Sequence, residues 1–470
     1  MKTLLVRPFT DTTKGDSPPL ALMYLSSALK SKSLEVGLFD NCVNRNRLGD
    51  LSLKNRFVMR LADKIAEYKP DILGMTLFSG ELNDIYDICG LIKRNFRSLA
   101  IALGGPHATA MPDETLSQFP ECDFIIRGEG ESSLADLIIA LSNSISLMQV
   151  RGLSFRINGN NHHSPDADII NNLDDLPFPD RDSLIHHYKN GDYRSLAFGI
   201  PADILATSRG CPFSCHFCSK VCRIYRRRSP GNILKEIDWI IANIHPQHIQ
   251  IVDDSFTIEK QRCERILTGI IDRNYPCRFS VRSRANAVNP ELFKLMKRAR
   301  VETIIYGLES GSQAMLKAFN KKTTVSQNIE ACRMARNAGL KSVGNMLLFY
   351  PGENPKTLKE TEIFIRKARP TVVKYLVLTP LPRTKIYYDA KNNGRLVGDW
   401  KVGEKPPWIK LDEFQNLATM EKIARRMFFK SFLNPLRLYW ILKSYGKSFF
   451  RSPVFSCKMI YLSMRAKIKY

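Results

Sequence analysis

Short apolar runs recur along the chain at strand length, and between them apolar residues fall at helical spacing. Runs at 4–6, 36–39, 72–76, 100–103 and 124–126 read as a first series of strands, with amphipathic helices between, such as the one carrying Leu22, Leu25 and Leu29. Strand–helix alternation predicts a parallel sheet covered on both faces, an α/β Rossmann-like doubly wound unit over residues 1–140. Two of its strands run into glycine-rich turns, GGPHA at 104–108 and RGEGE at 127–131. Residues 141–200 are rich in turn formers and proline and read as a linker with a small hairpin. A second series follows at 204–207, 249–252, 279–281, 303–306, 342–348 and 373–378, with helical segments such as 233–244 and 355–369. Six strand–helix units predict a partial (β/α)6 barrel over 201–379, and in such folds chemistry sits beyond the C-terminal strand ends. Residues 380–470 read as a mostly helical C-terminal extension, with helical stretches at 411–433 and after Pro435.

Composition adds a charge problem. The 470 residues are 44% hydrophobic, enough for two or three cores, but the net charge is +24. Half of that excess lies at one end: residues 422–470 hold twelve Lys/Arg and no Asp or Glu. The same stretch carries Phe428, Phe429, Phe432, Trp440, Phe449, Phe450 and Tyr461. A basic aromatic surface suits an anionic membrane or a lipid-like substrate. It also suits RNA, whose bases stack on aromatics. The plainest reading is a helical subdomain with aromatics packed inward and Lys/Arg solvated, and it is favoured over membrane contact, with nucleic acid last. No apolar run reaches the roughly 18–20 residues that span a bilayer. The start MKTLLVRPF breaks at Arg7 and Pro8 and reads as a strand rather than a signal peptide. Eleven cysteines without an export signal argue against a disulfide framework and for a reducing, cytoplasmic setting, with contact at a membrane surface as the variant the tail allows.

The first barrel strand leads into Thr207-Ser-Arg-Gly-Cys211-Pro-Phe-Ser-Cys215-His-Phe-Cys218. Three thiolates at spacings of four and three converge from one loop on a soft metal centre, iron–sulfur or zinc. A closed zinc site needs a fourth ligand, which His216 or Cys222 is placed to supply. Cys222 otherwise reads as a packing thiol, a resting-state cluster ligand or a hydrogen donor.

C-x-x-x-C-x-aromatic-C after a first barrel strand resembles the signature of the radical S-adenosylmethionine family. The resemblance implies that Cys211, Cys215 and Cys218 hold a 4Fe-4S cluster with one iron free of protein ligands. That iron binds S-adenosylmethionine, and an electron from the cluster cleaves it to a 5′-deoxyadenosyl radical. Phe217 would frame the adenine, and Asp253 and Asp254 would lie near the amino group of the cofactor, although the family's glycine-glycine-glutamate version is absent. Ser280 and Arg282 share one face of their strand by alternation, where an Arg can pair with the cofactor's carboxylate or serve equally as a packed structural side chain. YGLESGSQ at 306–313 resembles the G-x-E-S-G-S element of cobalamin-linked members and implies a ribose or cofactor contact for Glu309. The turn Pro351-Gly352-Glu353 matches turns that border the cofactor in the family. An external electron donor such as flavodoxin or ferredoxin is also implied.

In the N-terminal unit, GGPHATAMPDE followed by DFIIRGEGE resembles the cobalamin-binding domain fused to many of these enzymes. It implies a cleft lined by Gly104, Gly105, His107, Gly128, Glu129 and Gly130. Members that hold cobalt through a histidine carry Asp-x-His-x-x-Gly after the first strand; residues 10–15 here are TDTTKG, with no His. The leading expectation is a radical enzyme that methylates, cyclises or rearranges a small molecule, lipid-like in the variant the tail allows, at an unactivated carbon. A radical RNA-modifying enzyme is the second; the wide spacing of Cys42, Cys89 and Cys122 gives no second cluster site. A non-catalytic metal-binding nucleic-acid regulator is the third.

Overall fold

A computed structural model gives the fold and describes residues 1–10, 17–40, 51–195, 200–220 and 222–432. Two units separate by their contacts. The first holds 1–193, 219–222 and 399–406; the second holds 194–218, 223–398 and, from 407, the remaining described residues.

The first unit is built on β1 (Lys2–Arg7), β2 (Glu35–Asp40), β3 (Ile72–Thr76), β4 (Ala100–Gly104) and β5 (Phe124–Ile126), all parallel in the order β2-β1-β3-β4-β5. Central strand β1 reads as a continuous apolar run because both its faces are covered, and Leu4, Leu5 and Val6 are buried. The crossover helices are α1 (Leu20–Ser31), α2 (Leu51–Tyr68), α3 (Leu82–Asn95), the short α4 (Pro106–Ala110) and α5 (Pro112–Gln118), and α6 (Gly130–Ser142). α1 and α6 bury Leu22, Leu29, Leu134 and Ile138 with Leu5 and Ala102 of the sheet.

The stretch expected as a linker with a small hairpin does form a hairpin, and that hairpin extends this sheet. β6 (Leu153–Ile157) pairs antiparallel with β5, and β7 (Asn160–His163) pairs antiparallel with β6. The turn between them is Asn158-Gly159, both at positive φ, the backbone that a two-residue hairpin requires. Leu153 and Phe155 are fully buried in the core of the unit, so the hairpin is a load of apolar surface that a linker would leave wet. A short helix, α7 (Ile185–Lys189), follows.

The second unit contains β8 (Ala202–Leu205), a ribbon of β9 (Ser208–Arg209) and β10 (Arg226–Arg227), then β11 (His248–Ile251), β12 (Arg278–Ser283), β13 (Val301–Glu309), β14 (Lys341–Leu348) and β15 (Val372–Val377). Six of these form one parallel sheet in chain order, β8-β11-β12-β13-β14-β15, with β8 and β15 at its edges, the open barrel that the pattern predicts. The helices are α8 (Pro230–Asn243), α9 (Lys260–Asp272), α10 (Pro290–Arg298), α11 (Gln313–Ala318), α12 (Val325–Asn337) and α13 (Pro355–Ala368). Three of them start at Ser-Pro or Asn-Pro steps. The side chains of Ser229, Asn289 and Asn354 accept from the first free backbone N–H groups, and proline takes the next position, where no N–H is missed.

Beyond β15 lie α14 (Lys385–Asn392), a ribbon of β16 (Leu396–Val397) and β17 (Trp408–Ile409), and α15 (Leu417–Phe432). The helix expected from 411 starts later because the Asn416 side chain accepts from Ala418 N and sets the first turn there. Trp440, Phe449, Phe450, Tyr461 and the helix expected after Pro435 lie outside the described residues, as do residues 11–16 and Cys42. No helix among the described residues is long and apolar enough to cross a membrane.

After β13 the chain presses against α13. Gly311 N donates to Thr361 Oγ1 at 3.0 Å, and a Cβ at Gly311 would stand 2.3 Å from Phe364 Cβ and 2.6 Å from Thr361 Cα. Those atoms belong to a packed helix and cannot swing aside. Gly311→Ala is expected to cost about 1–3 kcal/mol, read as a lower urea midpoint for the second unit with an unchanged slope.

Candidate active site

The cysteine loop leaves the C-terminal end of β8 and is closed at its base by the β9–β10 ribbon, Ser208 opposite Arg227 and Arg209 opposite Arg226. Beneath it lies a buried set of charges. Asp253, at the end of β11, accepts from Thr207 N at 2.6 Å, Ser208 N at 3.2 Å, Ser208 Oγ at 2.7 Å and the Thr207 hydroxyl. Arg262 donates to the carbonyls of Thr207 and Arg228, and Arg228 to Ala206 O and the Glu236 carboxylate. All four charged side chains are buried, so the backbone at 206–208 is gripped from both its N–H and its C=O sides.

On the loop, Cys211 and Cys215 are buried and Cys218 is partly exposed. Among the described residues no three His, Cys, Asp or Glu side chains are gathered closely enough for one metal ion. His216 serves the loop instead. Its N donates to Phe319 O, its ring Nδ1 lies 3.0 Å from Ala318 O, and its carbonyl accepts from Ile386 N. The donor set fits a 4Fe-4S cluster in kind: three soft thiolates carried by one loop.

Phe217 points into the apolar cluster at the ends of β13 and β14, edge-on to Phe319 with centroids 5.7 Å apart. Lys321 Nζ stands 5.9 Å from the centre of the Phe217 ring and 2.8 Å from Glu309 Oε1, a buried ion pair. Glu309 ends β13 at φ 62, in the left-handed region, where β13 and β14 slip register. A non-glycine residue held there is strained and persists because its surroundings fix it. Glu353, in the turn after β14, accepts from Phe349 N, while its Oε1 is buried without a partner among the described residues. Burial pushes its carboxyl up to about 7.

The other expected contacts divide. Of the adjacent pair, Asp253 is the brace described above and Asp254 is exposed. Ser280 is buried and Arg282 exposed on β12. The sequence reading missed Arg284, two residues farther along the same face. It is buried, its Nη1 lies 3.7 Å from Cys215 Sγ, its guanidinium sits 3.8 Å from the Phe213 ring centre, and its Nη2 donates to Lys321 O.

In the first unit the glycine turns stand at the C-terminal ends of β4 and β5. Gly105 has φ 97, and a Cβ there would lie 2.7 Å from Thr76 Cγ2 and 3.2 Å from Leu77 O, so only glycine fits. Leu77 N donates to Gly104 O, His107 N to Leu77 O, and Gly128 N to Thr109 Oγ1 at 3.0 Å, which ties the two turns together. Glu129 turns away, accepting from Ile170 N at 3.2 Å, and Gly130 opens α6. His107 is buried, with Nδ1 2.9 Å from Ser79 Oγ and Nε2 without a partner among the described residues. Its ring packs edge-on to Trp400, centroids 6.3 Å apart. Glycine turns at parallel strand ends, with a buried polar atom left over beside them, fit a large planar cofactor such as cobalamin.

A model of the B12 binding domain matches residues 6–138, and one of the radical SAM superfamily matches 205–365. The chain is 30% identical over 448 residues to an uncharacterised methyltransferase of Pyrococcus horikoshii, covering 93% of each chain. It is 29% identical over 387 residues to the anaerobic magnesium-protoporphyrin IX monomethyl ester cyclase of Cereibacter sphaeroides, covering 80% of this chain and 61% of that one. Its fold matches the cobalamin-dependent S-adenosylmethionine radical enzyme OxsB with aqua-cobalamin bound, TM-score 0.76 at 21% identity, over 100% of this chain and 74% of that one.

Burial lowers the His107 pKa to about 4, so the folded protein keeps it neutral where the unfolded chain, at 6.5, takes up a proton. Stability is therefore expected to fall as pH drops from 6.5 to 4, by at most roughly 3 kcal/mol, and to lose no more from this group below that window. Urea unfolding of the first unit across this range checks it: His107→Gln removes that share of the loss and leaves behaviour above pH 6.5 unchanged.

Proposed function

The chain belongs to the radical S-adenosylmethionine superfamily and carries a B12-binding domain, and from that premise we propose that it transfers a methyl group to an unactivated carbon of a small, largely apolar molecule. The observation that carries the proposal is the pairing of two sites in one chain, a three-cysteine loop at the end of β8 and a glycine-turn cleft at the ends of β4 and β5. When bound, the cluster supplies the electron that splits S-adenosylmethionine, and cobalamin supplies a methyl carrier.

The protein's own residues then have limited tasks. Cys211, Cys215 and Cys218 would hold the cluster through their thiolates. Phe217, backed by Phe319, offers an apolar wall for the adenine. The Glu309–Lys321 pair presents both a hydrogen-bond acceptor and a donor beside that wall, suited to a ribose hydroxyl and a carboxylate. Ser280, Arg282 and Asp254 are further candidates for the amino-acid end of S-adenosylmethionine. Gly104, Gly105, His107, Gly128 and Gly130 line the cobalamin cleft, with Glu129 bracing its floor through Ile170. The buried apolar lining of the second unit's site keeps water from a reactive radical.

Enzymes of this superfamily draw their electron from an external reductant; for this chain a flavodoxin or ferredoxin fits that part. Ring closure without methyl transfer is the second reading, favoured by the similarity to the cyclase.

Anaerobic incubation of reconstituted protein with S-adenosylmethionine, cobalamin and reductant, followed by mass spectrometry, tests both. S-adenosylhomocysteine beside 5′-deoxyadenosine is the expected result. Deoxyadenosine alone, with candidate substrate present, turns the reading to cyclisation, and bound zinc with no cleavage overturns both. Cys215→Ser is expected to lose iron and cleavage together.

A further inference from the structure

The feature least explained by folding alone is the buried guanidinium at Arg284. β12 ends at Ser283, but the backbone stays extended through Arg284 at φ -86, ψ 147. Alternation therefore carries the face of Ser280 and Arg282 one step farther and points Arg284 at the cysteine loop. Phe213, two residues after Cys211, stacks on the guanidinium, and the Lys321 carbonyl fixes one end of its fork. The other end reaches Cys215 Sγ at 3.7 Å. Arg284 Nε is also buried and has no acceptor among the described residues.

A full positive charge with a spare donor, held beside a cluster ligand and shielded from water, has a definite electrical effect. Iron–sulfur potentials depend on net charge, on hydrogen bonds to the sulfurs and on exposure to solvent. Reduction adds one electron, and so one negative charge, to the metal centre. A neighbouring cation and an N–H donated to the thiolate both favour the more negative state, and burial strengthens them by lowering the local dielectric.

We propose that Arg284 is a positioning residue that raises the reduction potential of the 4Fe-4S cluster by donating a charge-assisted hydrogen bond to the Cys215 thiolate. The proposal rests on the cluster assignment above. The electron itself comes from the external reductant, and Arg284 keeps its proton throughout. Arg suits this position better than Lys because its planar fork reaches the thiolate and the Lys321 carbonyl at once while its face stacks on Phe213.

The test uses the full chain, anaerobically reconstituted, with the cluster midpoint read by EPR-monitored redox titration without substrate. Arg284→Gln is expected to bind iron as the parent does and to titrate at a lower potential. Arg284→Lys, which keeps the charge and loses the fork, is expected between the two. Arg278→Gln makes the same charge change at the other end of β12, where the exposed Arg278 pairs with Glu302, and is expected to leave the midpoint in place. An unchanged midpoint in Arg284→Gln, or an equal shift in Arg278→Gln, overturns the proposal. If Arg284→Gln does not hold iron, Arg284→Lys decides, with a midpoint equal to the parent's overturning it. A parent protein with no cluster signal overturns the cluster assignment instead, so the two failures are told apart.

Discussion

The carboxylate of Asp253 is the fixed point on which the second unit's chemistry depends. A loop that must present three thiolates is short, polar and poor in regular structure, so it cannot hold its own shape. Its shape is imposed from below, where one buried carboxylate receives two backbone N–H groups and two hydroxyls from Thr207 and Ser208. Charge-assisted hydrogen bonds of this kind are the stronger ones, and their loss would leave buried donors unpaired. Arg262 and the Arg228–Glu236 pair complete the grip from the carbonyl side, so each buried charge is tied to backbone or to a charged partner. The result is a rigid platform beneath a loop that has no regular structure of its own.

Above the platform, two buried cations are each tied to an aromatic ring. Lys321 is shared between Glu309 and the face of Phe217; Arg284 between Cys215 and the face of Phe213. Aromatic rings here hold cations in place and exclude water from around them. The first unit follows a different logic. Its cleft is shaped by backbone, with glycine turns and a histidine kept neutral by burial.

Much of this was legible in the sequence. The central barrel strands β13 and β14 are largely buried on both faces and so appear as apolar runs, and the cysteine ligands are local in sequence, so their spacing carries their meaning. What was not legible depends on pairing. Asp253 and Asp254 look equivalent as neighbours, but the β8–β11 register, Leu205 beside Ile251, places only Asp253 beneath Thr207. Arg284 lay past the strand's visible end, and its parity with Ser280 and Arg282 counts only once the backbone is known to stay extended. A small hairpin was expected within 141–200, but its pairing with β5, Phe124 opposite Phe155, could not be read from the polar, proline-rich residues around it. Residues 399–406 gave no sign at all, because the side chains that hold them, Asn83 and Gln118, are about three hundred positions away in sequence.

That last segment bears on how such a chain is inherited. The first unit is discontinuous: Trp400, whose ring closes on His107, arrives after the whole barrel has been made. A ribosome therefore releases an N-terminal unit that lacks part of its own packing until nearly the end of synthesis. A gene fusion or recombination event that cuts once near position 193 would deliver the cofactor-binding half without the piece that completes it. The two halves of this enzyme are thus not freely exchangeable cassettes, and a chimera would have to carry the distant segment with it.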